Sequence, residues 1–361
     1  MYHTMSSYTT VRINPALPKR PRSSVLVIYT GGTLGMVYDA QSGQLLPFDF
    51  EQVLDKVPEI RRLDFEITLL TLREIIDSSN MKPPVWVELV RIIERNYQQY
   101  DSFVILHGTD TMAYTASALS YMLVNLSKPV ILTGAQLPIG VARTDARENF
   151  ITALEIAAAQ QDGLSIVPEV CIYFNSLLLR GNRAKKQESV QFNAFTSENY
   201  PHLAIAGVSI DYNYPFIRPC RPDQPLDIHT VLDTNVTILK LFPGITPQVV
   251  SSVLGIHGLK GVVLETYGAG NAPTDSWFLD ALKEAIDRGI VIFNVSQCEG
   301  GRVTQGRYQT SKLLQQIGVI SGADITLEAA ITKLMVLLGR HADPVELREH
   351  LGMPLCGEMS E

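Results

Sequence analysis

From Ser24 onward, short unbroken apolar runs alternate with stretches whose apolar residues recur every three or four positions. The runs at 25–29, 67–71, 103–106, 130–133 and 170–174 are too short for helices and too continuous for half-exposed strands, so they predict strands buried on both faces. Between them the spacing predicts helices over 83–97, 111–126 and 148–160. The first of these has Pro in its first turn and Trp86, Val90, Ile93 and Tyr97 on one face. Strands that alternate with helices pair in parallel through crossovers, which gives a doubly wound α/β sheet. The rhythm breaks over 212–230, where Pro215, Pro219, Pro222 and Pro225 read as an interdomain linker. It resumes with strands at 236–241, 261–265 and 290–294 and helices at 247–254, 277–288 and 326–338. The expected layout is a disordered leader over 1–23, a larger N-terminal α/β catalytic domain over 24–211, a linker over 212–234 and a smaller doubly wound C-terminal domain over 235–361.

Composition narrows the class. The 361 residues are 46% hydrophobic and 19% charged, enough apolar content for real cores, and a net charge of -7 argues against a nucleic-acid surface. The one basic cluster, Lys19-Arg20-Pro21-Arg22, sits in a Ser/Thr/Pro-containing head and reads as solvated leader. No apolar run approaches the ~20 residues of a membrane span, and residues 1–24 lack the apolar stretch of a secretory signal. Cys171, Cys220, Cys298 and Cys356 form no C-x-x-C pair, and no H-x-x-x-H spacing occurs among seven histidines. Neither a metal site nor a disulfide framework is expected, and reduced thiols fit a cytoplasmic setting.

Two strand ends carry the candidate chemistry. The first apolar run empties into Thr30-Gly31-Gly32-Thr33, and the run at 103–106 into His107-Gly108-Thr109-Asp110-Thr111. Such turns place hydroxyls at the carboxyl edge of a sheet, where ligands bind in open α/β folds. Two further polar segments, Asp77-Ser78-Ser79-Asn80 and Arg180-Gly181-Asn182-Arg183-Ala184-Lys185-Lys186, follow other predicted strands. Each alone reads as a cap, a turn or a solvated loop. Together they supply hydroxyls, a lysine to act as base, a carboxylate to orient it, and glycines that let backbone N–H groups approach an oxyanion. That set suits attack on an acyl carbon with loss of ammonia or an amine. A phosphate loop fits poorly: Thr30–Gly35 lacks the Walker lysine and has G-G-x-x-G spacing. Trp86 and Trp277 read as core, His107 as a structural histidine, and Cys298 as a small hydrophobe rather than a nucleophile.

At these segments the sequence resembles the bacterial-type L-asparaginases, most closely their cytoplasmic type I branch. The resemblance runs from about Ser24 to about Leu351 and rests on Tyr29-Thr30-Gly31-Gly32-Thr33-Leu34-Gly35, Leu106-His107-Gly108-Thr109-Asp110-Thr111-Met112-Ala113, Arg180-Gly181-Asn182-Arg183 with Lys186, and Tyr267-Gly268-Ala269-Gly270-Asn271-Ala272-Pro273. It implies hydrolysis of L-asparagine to L-aspartate and ammonia, with Thr33 as the nucleophile and Thr109, Asp110 and Lys186 as the activating set, Lys186 against Thr109. It further implies that Ser78 binds the substrate α-carboxylate, with Ser79 at the next position, and that Asp110 receives the α-ammonium. The Ala135 carbonyl would face the leaving amide, and Asn271 would be lent to the site of a neighbouring subunit. A homodimer or homotetramer is implied; a metal or organic cofactor is not.

Two departures stand out. The family places an activating tyrosine shortly after the nucleophile, but the best-aligned position here is near Leu45, so Tyr38 and Tyr308 are both candidates. Members that bind asparagine allosterically use an arginine before Ser-Tyr-Gly and a threonine before the catalytic lysine, where this chain has Glu265 and Lys185; Cys298 does resemble the cysteine near that site. That mode of regulation is not expected. Two alternatives remain. One is a catalytically silent binder, which has no reason to retain all of Thr33, Thr109, Asp110 and Lys186. The other is the amidase-like subunit of a tRNA-dependent amidotransferase, which needs an additional N-terminal domain.

Overall fold

Five apolar runs form the parallel centre of a nine-stranded sheet. The computed structural model describes residues 8–12, 22–38, 45–47, 56–306, 309–341 and 343–361. It divides the chain into two units, the first running through Ser197 and resuming over Pro201–Ile228, the second comprising Glu198–Tyr200 and His229–Glu361. The strands of the first unit are β1 (Tyr8–Arg12), β2 (Ser24–Tyr29), β3 (Glu66–Leu72), β4 (Ser102–Leu106), β5 (Val130–Thr133), β6 (Val170–Phe174), β7 (Leu177–Arg180), β8 (Ala204–Ala206) and β9 (Ile210–Tyr212). Their order is β1-β3-β2-β4-β5-β6-β7-β8-β9. Strands β3, β2, β4, β5 and β6 are mutually parallel. Every residue from Val25 to Tyr29 and from Phe103 to Leu106 is fully buried, as expected for strands covered on both faces.

Strand order sets the place of the site. The chain leaves β2 for β3 on one side and then returns to β4 on the other. Crossovers therefore diverge between β2 and β4, which opens a crevice at the carboxyl ends of those strands. The helices α1 (Pro83–Asn96), α2 (Met112–Met122) and α3 (Ala146–Ala158) lie between the central strands in sequence. Helix α1 buries Trp86, Leu89, Val90, Ile92 and Ile93.

Three expectations are corrected in this unit. Tyr8–Arg12, assigned to a disordered leader, pairs antiparallel with β3 from Tyr8↔Leu72 to Arg12↔Thr68. A β-prone Tyr-Thr-Thr-Val stretch thus satisfies the open edge of β3, and Arg12 pairs with Glu66. The helix expected over 111–126 stops at Met122, because Leu123–Val124 extends to pair with Asp227–Ile228 and Asn125 takes φ 59°. That pairing also ties down the proline-rich stretch read as a linker. There the Phe216 carbonyl accepts Arg180 at 3.0 Å and the Arg218 N–H donates to Glu169 at 2.7 Å. The hairpin from β6 into antiparallel β7 was not expected, since its turn holds no glycine; Asn175 and Ser176 adopt φ 47° and 68° instead.

The second unit has a parallel sheet in chain order, β10 (Val236–Lys240), β11 (Gly261–Thr266), β12 (Val291–Ser296) and β13 (Ile320–Ser321). Its core includes Leu239, Val262, Leu264, Phe278, Leu282 and Ile292. Its helices include α4 (Pro247–Leu254), α5 (Ser276–Asp287), α6 (Gln309–Ile317) and α7 (Leu327–Arg340); α4 and α7 begin at threonine caps, Thr246 accepting from Val249 N–H and Thr326 from Ala329 N–H.

Candidate active site

The loops that follow β2, β3, β4 and β5 meet at one edge of the first sheet, and two glycines make the approach possible. After β2 the Thr30 N–H donates to the Leu106 carbonyl at 3.1 Å, and Gly32 takes φ 89° before the short 3-10 turn Thr33–Gly35. A Cβ at Gly32 would stand 2.5 Å from the Gly108 nitrogen and 2.6 Å from its Cα; a Cβ at Gly108 would stand 2.5 Å from Ser78 Oγ. The Thr33 turn therefore rests on the Thr109 turn, which rests on Ser78. Both clashes are with groups that have little room to move, and Gly32 is strained for any other residue. Gly32→Ala is expected to cut activity by at least 10-fold, on the scale of roughly 10²-fold for an ångström of misplacement, read as kcat/KM beside an unchanged far-ultraviolet circular dichroism spectrum.

Lys186 closes the cluster. It lies on the short strand Lys185–Lys186, which pairs with Phe195–Thr196 after the β7 hairpin and the turn Gly181–Arg183. Its Nζ donates to Thr109 Oγ1 at 2.8 Å and to Asp110 Oδ1 at 2.6 Å. The lysine side chain is 17% exposed and the aspartate 65%, so the carboxylate reaches solvent while the amine is sheltered. Thr109 Oγ1 in turn lies 3.4 Å from Gln136 Oε1, and Gln136 Nε2 donates to the Gln191 carbonyl at 2.9 Å. This gives a polar chain from Lys186 through Thr109 to the loop after β5, and Gln136 was not singled out from the sequence.

Beneath the second turn, His107 is fully buried and neutral. Burial pulls its pKa down to about 4, against the opposing hydrogen bond to the Gly108 carbonyl. Its Nδ1 lies 2.7 Å from that carbonyl and its Nε2 2.9 Å from Thr115 Oγ1, which accepts from Trp86 Nε1 at 3.0 Å. The indole can only donate and the Gly108 carbonyl can only accept, so Thr115 gives its proton to Nε2 and Nδ1–H holds Gly108. The expectation of a structural histidine agrees with this arrangement.

The remaining candidates divide. Ser78 is buried and its carbonyl accepts Thr111 Oγ1 at 2.7 Å, whereas Ser79 is exposed and its hydroxyl donates to Asp77 Oδ1 at 2.9 Å. Ser79 is thus engaged by the turn. Ala135 is buried on the loop after β5. Asn271 belongs to the second unit, where it closes a turn with Tyr267 through backbone bonds of 2.9 and 2.8 Å. Tyr38 ends the strand Met36–Tyr38, its backbone paired opposite Leu45, but its side chain and the whole of Tyr308 lie outside the described residues. Among the described residues no group of three His, Cys, Asp or Glu could hold a metal ion.

A threonine on a glycine turn that packs against the turn of a lysine–threonine–aspartate cluster, at a sheet switch point, is the equipment of an acyl-transferring hydrolase. Residues 24–218 match the N-terminal asparaginase domain and residues 235–351 the glutaminase/asparaginase C-terminal domain. The chain belongs to the asparaginase family. It is 40% identical over 345 residues to L-asparaginase 1 of Escherichia coli K12, covering 94% of this chain and 98% of that one. It is likewise 40% identical over 364 residues to the human 60 kDa lysophospholipase, covering 94% of this chain and 62% of that protein. The crystal structure of L-asparaginase I from Vibrio cholerae superposes with a TM-score of 0.85 at 36% identity, over 94% of this chain and all of that one.

Proposed function

We propose that this protein hydrolyses L-asparagine to L-aspartate and ammonia, with Thr33 as the nucleophile. Thr33 Oγ1 adds to the side-chain amide carbon of asparagine, the C–N bond breaks, and nitrogen leaves with a proton as ammonia. Water then attacks the β-aspartyl ester, returning the Thr33 hydroxyl and releasing aspartate. Backbone N–H groups freed by the glycine turns stabilise the oxyanion of each tetrahedral intermediate. The sheltered Lys186 amine activates the hydroxyl of Thr109 or the hydrolytic water, and Asp110 holds that amine in place. Ser78 and Asp110 take the substrate α-carboxylate and α-ammonium, and Tyr38 or Tyr308 takes the proton of Thr33.

The observation that carries this reading is the 2.8 Å contact between Lys186 and Thr109, joined by the 2.6 Å ion pair with Asp110. Lys186→Met is expected to lower kcat for ammonia release by about 10²–10⁴-fold, the usual contribution of a proton-transferring group. Turnover at the parental rate in that variant would refute the assignment. Asn271 serves a neighbouring subunit in a homodimer or homotetramer, and the protein works in the cytoplasm. Four widely spaced cysteines with no C-x-x-C pair fit that location; among the described residues no helix is long and apolar enough to cross a membrane.

A further inference from the structure

The loop that carries Ala135 is held by a carboxylate that the reaction scheme does not use. Asp145 stands at the N-terminus of α3, where an aspartate ordinarily accepts N–H groups of its own helix. It makes no such cap. Its Oδ2 accepts the Gln136 N–H at 2.9 Å, and its Oδ1 accepts the same N–H at 3.1 Å and the Leu137 N–H at 3.0 Å. Asn149, fully buried one turn along, donates from Nδ2 to the Gly134 carbonyl at 3.1 Å and to Asp145 Oδ2 at 3.2 Å. Its own Oδ1 accepts the Asn175 N–H at 3.0 Å. The Leu137 carbonyl accepts Thr144 Oγ1 at 3.0 Å.

One carbonyl in this loop is different. Ala135 is 2% exposed, yet among the described residues nothing donates a hydrogen bond to its oxygen. A buried carbonyl without a donor is costly unless a ligand or an ordered water supplies one. The Ala135 carbonyl and the Gln136 N–H belong to the same trans peptide, so they point in opposite directions. With the N–H fixed on Asp145, the carbonyl must face away from that carboxylate. The negative charge behind the N–H also polarises the peptide and strengthens its oxygen as an acceptor.

We propose that Asp145 is a positioning residue for the amide-hydrolysing reaction. It aims and polarises the Ala135 carbonyl so that this oxygen accepts an N–H of the substrate carboxamide and of the ammonia that departs from it. Asn149 locks Asp145 and the Gly134 carbonyl in that geometry. The proposal rests on the asparaginase reading above and on Ala135 facing the scissile amide. Its electrostatic sense is consistent: as nitrogen is protonated on leaving, positive charge grows on the side of the peptide whose oxygen Asp145 has made more negative.

The test compares two substrates that differ only in the leaving group. L-asparagine presents N–H donors to Ala135; the β-methyl ester of L-aspartate leaves as methanol and presents none. Asp145→Asn keeps one acceptor oxygen but removes the charge. It is expected to lower kcat/KM for asparagine by about 10-fold or more, below the ~10²–10³-fold cost of losing a direct contact. For the ester the change should stay within about threefold, since that oxygen has nothing to bind. Asn149→Ala, which leaves the charge in place, should show the same selective loss at smaller size, and decides the matter if Asp145→Asn does not fold. Equal losses on both substrates, or no loss on asparagine, would overturn the role of Asp145. Failure of the parent protein to release ammonia from asparagine would instead overturn the functional reading.

Discussion

Thr33→Ala is expected to reduce ammonia release from asparagine by roughly 10⁴-fold or more, since loss of a covalent nucleophile removes the whole activated unit rather than one contact. The fold should be untouched. Thr33 is only half-buried, and no hydrogen bond joins its hydroxyl to another described residue, so its removal falls within the ~0.5 kcal/mol typical of a surface change. The pairing of a silent active site with an unchanged melting temperature separates a nucleophile from a structural threonine. Thr33→Ser keeps the hydroxyl on the same turn and is expected to regain measurable turnover. Ammonia release by Thr33→Ala at the parental rate would show that Thr33 is not the residue acylated. Gly32 is seated so closely on Gly108 that the Thr33 turn has one position relative to Thr109.

The second large effect concerns stability, in the other unit. Lys333 and Glu358 are both fully buried, with Nζ 2.8 Å from Oε1. Lys333 also donates to the Leu351 carbonyl at 3.0 Å and to the Met353 carbonyl. Glu358 accepts the backbone N–H groups of Leu355 at 3.0 Å and Cys356 at 2.9 Å. The pair thus pins the C-terminal segment beyond α8 (Pro344–Gly352) to helix α7. Glu358→Ala leaves an uncompensated ammonium in an apolar interior and is expected to cost about 3–5 kcal/mol. In a scanning calorimeter that lowers the transition of this unit by roughly 10 °C. Replacing both partners with apolar residues, Lys333→Met with Glu358→Leu, should recover part of the loss: no charge is then left unpaired, but the Leu351 and Met353 carbonyls and the Leu355 and Cys356 N–H groups lose their partners.

The same pair has a pH signature. Burial pushes the Glu358 carboxyl up, but the Lys333 charge and the hydrogen bonds from Lys333, Cys356 and Leu355 more than offset it and hold the group below the ordinary glutamate value of 4.5. A carboxyl whose folded pKa is depressed contributes stability that is complete above its unfolded pKa and is lost as pH falls through the folded value. Acid titration of the parent protein should therefore show a loss of stability below pH 4.5 that Glu358→Gln lacks. Identical acid profiles for the two proteins would show that folding does not depress the Glu358 carboxyl.

Much of this was legible in the sequence for a simple reason: burial on both faces and turn chemistry are written locally. Unbroken runs such as 25–29 and 103–106 announce parallel strands, and Gly31-Gly32-Thr33 and Gly108-Thr109 announce where those strands end. The same local reading misjudged segments whose partner decides their form. Tyr8–Arg12 is a strand only because the edge of β3 is open, and 123–124 is extended only because 227–228 lies beside it.

Only the tertiary structure decided which of the polar turns meet. Strand alternation is compatible with many strand orders, and it was the order β3-β2-β4-β5 that set the Thr33, Ser78, Thr109 and Ala135 loops side by side. Lys186 reaches Thr109 across 77 residues of chain, and no pattern along the sequence encodes that contact. Asp145 stands where a helix cap would and is in fact turned onto another loop, and the burial of Lys333 against Glu358 is likewise a product of packing. Local sequence encodes periodicity and turns through short-range sterics; the partners of charged side chains follow from packing, which the whole chain determines together.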